Sequence, residues 1–188
     1  LDMIRNLPEE KKQDYRFGFK LAGGLGKDGE FLITPEVMLK WKRNYFDEVI
    51  KSYANSHYPN KKVRHIVINS AWYNYQLKNQ WNPLHTHSNF AGIQENPSIS
   101  TVGYLSIPND MKPIEGEKSH YKFGGMIEFR EGTEGMFQFA TYKREPKERN
   151  FYIFPANLEH QVYPHNSEEP RISFSFNAVI KFENEENV

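Results

Sequence analysis

Two histidines one residue apart, in Trp81-Asn82-Pro83-Leu84-His85-Thr86-His87, are the first side chains along this chain whose type and spacing could do chemistry. On a strand, residues i and i+2 project from the same face, so both imidazoles can reach one metal ion. A third histidine arrives much later, in Phe154-Pro155-Ala156-Asn157-Leu158-Glu159-His160. Two ligands close in sequence and one distant is the layout of a mononuclear site assembled by a β-fold. Three protein ligands on one face leave other coordination positions open. Taken alone, a His-x-His pair is more often an ordinary surface or core pair, so the weight falls on the residues after His160.

Arg171 lies eleven residues past His160 and opens a strongly alternating segment. Ser173 sits at i+2 and shares its face. If that face is buried, the guanidinium needs an anionic partner, because an unpaired buried charge is costly. A carboxylate gripped at two points is the natural one. An exposed arginine in a cross-strand ion pair is the plainer alternative. The other histidines, His57, His65, His120 and His165, show no metal-ligand spacing, and no role is expected of them.

The elements that would carry these residues read as mainly β. Short β-rich runs alternate with turn clusters after residue 60, the pattern of an all-β sandwich or barrel. Strands are expected near Val63–Gln76, Pro83–His87, Ser98–Pro108, Gly124–Arg130, Met136–Lys143, Asn150–Phe154, His160–Tyr163 and Arg171–Phe182. Ile172, Phe174, Phe176, Ala178 and Ile180 alternate with Ser173, Ser175, Asn177 and Val179, which predicts one buried face. Before the strands, Thr34-Pro35 reads as a helix start. Val37, Trp41, Tyr45, Val49 and Tyr53 then form one apolar helical stripe directed at the core, and Pro59-Asn60 ends it. The glycine-rich stretch 22–28 lacks the spacing of a phosphate-binding loop and reads as a turn. The connections Ser88–Pro97 and Asn109–Tyr121 are long enough to be binding loops.

At 188 residues the chain suggests a single domain, 1–188, with residues 1–60 as N-terminal extension and supporting helix and 63–182 as the β-core. Lysine plus arginine and aspartate plus glutamate balance at 24 each, so nothing advertises a nucleic-acid partner. There is no cysteine, which excludes disulfides, thiolate metal sites and cysteine nucleophiles. Any metal must therefore be held by nitrogen or oxygen. No apolar run approaches the roughly 20 residues of a membrane span, and the first residues lack a signal-peptide pattern. A soluble cytoplasmic protein is the expectation.

The ordered set of these elements resembles a known family. His85-Thr86-His87 followed by Gly103-Tyr104-Leu105 is similar to the proximal half of the Fe(II)/2-oxoglutarate-dependent oxygenase signature. Phe154-Pro155 before His160, then Arg171-Ile172-Ser173, is similar to the distal half. The prolyl-4-hydroxylase-like group is the nearest in pattern, with Trp72-Tyr73-Asn74 preceding the His-x-His element and Asn177 on the last strand. The resemblance covers roughly residues 65–180. It implies a double-stranded β-helix (a jelly roll, cupin-like) with a supporting α-helix. It implies Fe(II) held by His85, His160 and His87, and 2-oxoglutarate bound by Arg171 with Ser173, with Tyr104 lining the same pocket. The implied reaction is hydroxylation of an unidentified small-molecule or peptide substrate by O2, with 2-oxoglutarate converted to succinate and CO2.

One departure matters. The family signature has Asp or Glu where this chain has His87. A third imidazole suits Fe(II) but removes one negative charge, and it makes Zn(II) or Ni(II) easier to accept. A shifted pair, His87 and Asn89, or an oxygen from Glu95, are the alternatives. Two other functions compete. A cupin-type metalloenzyme without 2-oxoglutarate would also use His-x-His, but its following glutamate is missing and it leaves Arg171 unexplained. A non-catalytic jelly-roll binding or virion module would make the histidines structural.

Overall fold

The structure is a computed structural model that describes residue 25 and residues 29–87, 95–111, 124–132 and 140–183. Nine strands form two antiparallel sheets among these residues. They are β1 (Glu30–Leu32), β2 (Val63–Gln76), β3 (Asn82–His85), β4 (Ile99–Ser106), β5 (Ile127–Arg130), β6 (Thr141–Arg144), β7 (Phe151–Pro155), β8 (Glu159–Val162) and β9 (Arg171–Phe182). The larger sheet runs β1-β2-β9-β4-β7 and the smaller β3-β8-β5-β6. Val102 and Tyr104 of the larger sheet pack on Ile127 and Phe129 of the smaller, so the two sheets close on a shared interior. This is the jelly-roll architecture expected from the alternation of short strands and turns.

Strand β9 departs from the expectation of one buried face. Its apolar side, Phe174, Phe176 and Ala178, packs beneath the helices. Its polar side, Arg171, Ser173, Ser175 and Asn177, is just as buried. Those polar residues face the space between the sheets rather than water. Gly103 on β4 permits this packing: a Cβ there would stand 2.2 Å from the Phe174 ring.

The supporting helix starts at Pro35, as expected, although the Thr34 side chain makes no capping bond. It comprises α1 (Pro35–Trp41), a π-helical segment (Lys42–Phe46) and α2 (Asp47–His57). The π segment widens the helical turn by a residue and rotates the inward face. Val37 and Trp41 pack on the core as expected, but Tyr45 and Val49 turn outward, 66% and 44% exposed. Phe46, Ile50 and Ala54, one residue along, take their place. Phe46 stacks on Phe151 at 5.1 Å and Trp41 meets Phe174 edge-on at 5.5 Å. The glycine-rich stretch 22–28 apart from Leu25, most of both long connections, His120, Asn89 and the first part of the strand expected from Met136 lie outside the described residues.

Candidate metal and co-substrate site

His85 and His160 are brought together by the ladder of the smaller sheet, where they are direct partners across β3 and β8. His87 reaches them differently from the strand alternation expected. Strand β3 ends at His85, and the chain bends so that the His87 backbone N–H donates to the Ala156 carbonyl at 2.8 Å. The His87 ring then lies 5.0 Å from that of His160 and 5.4 Å from the indole of Trp72. One nitrogen from each of the three imidazoles lies within 4.8 Å of the others.

The backbone sets the tautomer of two of these rings. His85 Nδ1 lies 2.6 Å from the Pro83 carbonyl, and His160 Nδ1 lies 2.9 Å from that of Leu158. A carbonyl only accepts, so each Nδ1 carries its proton and each Nε2 keeps a free lone pair. His87 Nε2 and His160 Nε2 are 3.1 Å apart. Two nitrogens at right angles, each roughly 2.1 Å from one cation, would be about 3.0 Å apart. Burial, and behind it the neighbouring imidazoles, hold His87 down at about 2 and His160 at about 3. Burial likewise lowers His85. The rings are therefore neutral at physiological pH, the form a metal needs. Among the described residues this cluster contains no carboxylate. Glu95 is instead paired with Lys181 at the surface, Oε1 to Nζ 3.1 Å.

Arg171 occupies the same cavity, which is about 470 Å³ including its mouth and is lined from both sheets. Its exposure is 2%. Nη1 donates to Gln76 Oε1 at 3.1 Å and to Ser173 Oγ at 3.4 Å. The guanidinium lies over the Tyr104 ring, 4.9 Å from its centroid. Tyr104 is thus beneath the arginine, its hydroxyl without a partner, rather than along the cavity wall. Arg171 Nε and Nη2 have no hydrogen-bond partner. A buried cation with two free N–H groups is an expensive arrangement unless an anion arrives to fill it. The donor set fits a divalent metal, and the free fork of Arg171 fits a carboxylate beyond it.

Several cavity residues went unassigned from the sequence. Gln76 anchors Arg171 and is held in turn by the Gln80 and Tyr163 carbonyls. Trp72, Asn74 and Gln76 line the cavity from β2, and Ser175 lines it from β9. Their period-two spacing was the available signal. His165 is buried near Arg171, with Nε2 3.0 Å from the Gln76 carbonyl.

Comparison with known proteins shows the family and the fold. Residues 70–177, more than half of the chain, match a family described as "Putative 2OG-Fe(II) oxygenase". The chain belongs to this family of iron(II)- and 2-oxoglutarate-dependent oxygenases. No curated protein matches it. Among solved structures, a prolyl-4-hydroxylase from Pseudomonas putida superposes with a TM-score of 0.55 at 13% identity, over 95% of this chain and 82% of that one. The viral collagen prolyl hydroxylase of Paramecium Bursaria Chlorella virus-1, in complex with 2-oxoglutarate, gives 0.52 at 15% identity over 94% and 87%. A Trichoplax adhaerens prolyl hydroxylase, complexed with a hypoxia-inducible-factor peptide, gives 0.55 at 12% over 95% and 75%. At these identities the likeness is one of fold, the double-stranded β-helix. No helix among the described residues is long and apolar enough to cross a membrane.

Proposed function

We propose that this chain is a 2-oxoglutarate-dependent hydroxylase in which His85, His87 and His160 hold Fe(II) and Arg171 binds the far carboxylate of 2-oxoglutarate. The observation that carries the reading is the convergence, in one cavity, of three imidazole nitrogens and a buried guanidinium with unused N–H groups. Iron with 2-oxoglutarate supplies the oxidising power that converts dioxygen and a C–H bond into a hydroxyl group, leaving succinate and CO2.

The protein's own contribution is positioning and charge. The Pro83 and Leu158 carbonyls aim two imidazoles at the metal position. Gln76 and Ser173 hold the guanidinium, and the Tyr104 ring supports it from below. The three imidazoles are neutral, so they leave a divalent cation uncompensated, and Arg171 adds a further positive charge. A doubly negative co-substrate offsets two of these three positive charges, so metal and 2-oxoglutarate bind cooperatively. Apolar lining from Ile127, Val162 and Phe154 keeps bulk water from the reacting centre. The substrate is a small molecule or a peptide; the solved relatives make prolyl peptides the first to try.

The test is succinate release from protein supplied with Fe(II), 2-oxoglutarate and oxygen. The expected result is turnover that stops in Arg171→Ala. Wild-type protein that binds metal yet shows neither coupled nor uncoupled turnover would overturn the reading, as would undiminished turnover in the variant.

A further inference from the structure

A row of side chains runs across the smaller sheet from the histidine cluster to an edge strand. His85 stands opposite His160 across β3 and β8, His160 opposite Phe129 across β8 and β5, and Phe129 opposite Tyr142 across β5 and β6. Residues directly opposite on neighbouring strands project from the same face, so all four belong to the inner face. Phe129 is covered there, its ring 4.9 Å from that of Phe154 and 6.2 Å from that of His160. Tyr142, the last member of the row, is instead 48% exposed.

Alternation along β6 sorts its charges. Lys143 turns outward, with Nζ 2.9 Å from Glu128. Arg144 stands opposite Ile127, a core residue, and so shares the inner face with Tyr142. It is exposed, and its Nη1 donates to the neighbouring Lys143 carbonyl at 3.0 Å. It forms no ion pair among the described residues; the adjacent Glu145 is paired with Lys147 at 3.8 Å. The inner face of β6 thus presents to water an aromatic ring and a cation without a counter-charge, in continuity with the histidine cluster.

We propose that Tyr142 and Arg144 bind the substrate and select an extended peptide segment that carries an acidic residue three or four positions from the residue oxidised. This rests on the proposed function, because it takes the histidine cluster to be where the substrate is oxidised. The length of the row favours a chain over a single small molecule. Neighbouring strands lie about 4.8 Å apart, which puts Tyr142 about 10 Å from His160 along the sheet. Arg144 is two residues further along β6, about 7 Å, so it stands about 12 Å from His160. An extended chain advances about 3.3 Å per residue, so three or four residues cover that distance and one does not. A tyrosine ring gives such a chain broad apolar contact with a polar tip. A guanidinium grips a carboxylate at two points.

The experiment supplies the whole chain with Fe(II), 2-oxoglutarate, oxygen and a randomised decapeptide library. Mass spectrometry reads which peptides gain one oxygen atom and where, and succinate release is followed in parallel. The modified peptides should be enriched about 3- to 5-fold in Asp or Glu three or four positions from the oxidised residue, the range for an exposed ion pair. Arg144→Glu should replace that preference with one for Lys or Arg. A labelled copy of the best peptide, read by fluorescence anisotropy without oxygen, should bind Tyr142→Ala about 10-fold more weakly. The KM for 2-oxoglutarate should hold in both variants. Both side chains are exposed, so these variants are expected to fold; Arg144→Gln, which should lose the acidic preference without acquiring a basic one, serves if charge reversal does not. Modified peptides without charge preference, or a preference that survives Arg144→Glu, would overturn the proposal. Succinate release with no peptide modified would overturn it too and leave the proposed function standing. Absence of both succinate release and peptide modification overturns the oxygenase reading, and this proposal with it.

Discussion

Glu128 and Arg171 are both charged side chains with almost no exposed surface, and the two sheets treat them oppositely. Glu128, on the outward face of β5, is surrounded by partners. Arg130 Nε and Lys143 Nζ each lie 2.9 Å away, the Tyr163 hydroxyl donates at 2.6 Å and Gln161 at 3.1 Å. Burial alone would push its carboxyl up. The bonds from Tyr163, Lys143 and Arg130 outweigh it and hold the group down at about 2. Arg171, on the inward face of β9, has a glutamine, a serine and an aromatic ring, but no counter-charge among the described residues. Glu30 on β1 is a third case. It is fully buried with Oε2 unpartnered, and burial raises it to about 8, so it gives up its charge at neutral pH. A buried ionisable group whose work is structural arrives with partners or neutralises itself. A guanidinium cannot neutralise itself, so one without a counter-charge marks a place prepared for an anion.

The sharpest way to break this contrast is Arg171→Met. Removal of one side of a buried charge–carboxylate pair costs several kcal/mol, so 2-oxoglutarate-dependent succinate release should fall about 1000-fold. The ligand-free protein should lose little stability or gain some, because the uncompensated charge is gone. Calorimetry with and without 2-oxoglutarate reads both: the co-substrate should raise the Tm of the wild type and not that of the variant. If the variant is severely destabilised without ligand, Arg171 is a structural residue like Glu128.

His160→Ala should come next in size, lowering Co(II) affinity by more than about 100-fold, beyond the usual loss from a supporting residue. Retention of wild-type affinity in a cobalt titration would remove His160 from the site. Glu30→Gln probes the group that neutralises itself. A carboxyl raised from 4.5 to about 8 in the folded state contributes stability fully below pH 4.5 and loses it as pH rises through 8. Wild-type Tm should therefore fall between these limits. The glutamine variant should flatten the fall and be more stable at pH 8 by on the order of 4 kcal/mol. Parallel curves for the two proteins would show that Glu30 is ionised.

The smallest effect belongs to Glu128→Ala. Arg130 and Lys143 are partly exposed, so water screens much of what they contribute. A loss of about 1 kcal/mol in denaturant unfolding is expected, with Co(II) affinity unchanged. A loss of metal binding instead would tie the outer network to the site.

Most of the architecture was legible because strand alternation is a local property. The bounds of β2 and β9 coincide with the expectation from alternation and turn residues. Of the helix stripe, Val37, Trp41 and Tyr53 pack on the core as read, and Tyr45 and Val49 do not. The π segment depends on how the helix seats on Phe151, Phe174 and Phe176, and it transfers the core contact from Tyr45 and Val49 to Phe46 and Ile50. Burial of the polar side of β9 was hidden for a related reason. Alternation reveals that a strand has two faces, but a serine–asparagine face looks the same whether it meets solvent or a cavity.

By itself the sequence determined which groups were available: three imidazoles in two segments, one arginine opening an alternating strand, and no thiolate. Only the tertiary structure decided that they share a cavity, because β3 and β8 place His85 opposite His160 across a ladder between residues 75 positions apart. It also decided that His87 joins through a bend rather than a strand, and that Arg171 has no counter-ion among the described residues. Proximity and solvation belong to the closed fold, not to any segment of it, and here they separate a chemical inventory from a site.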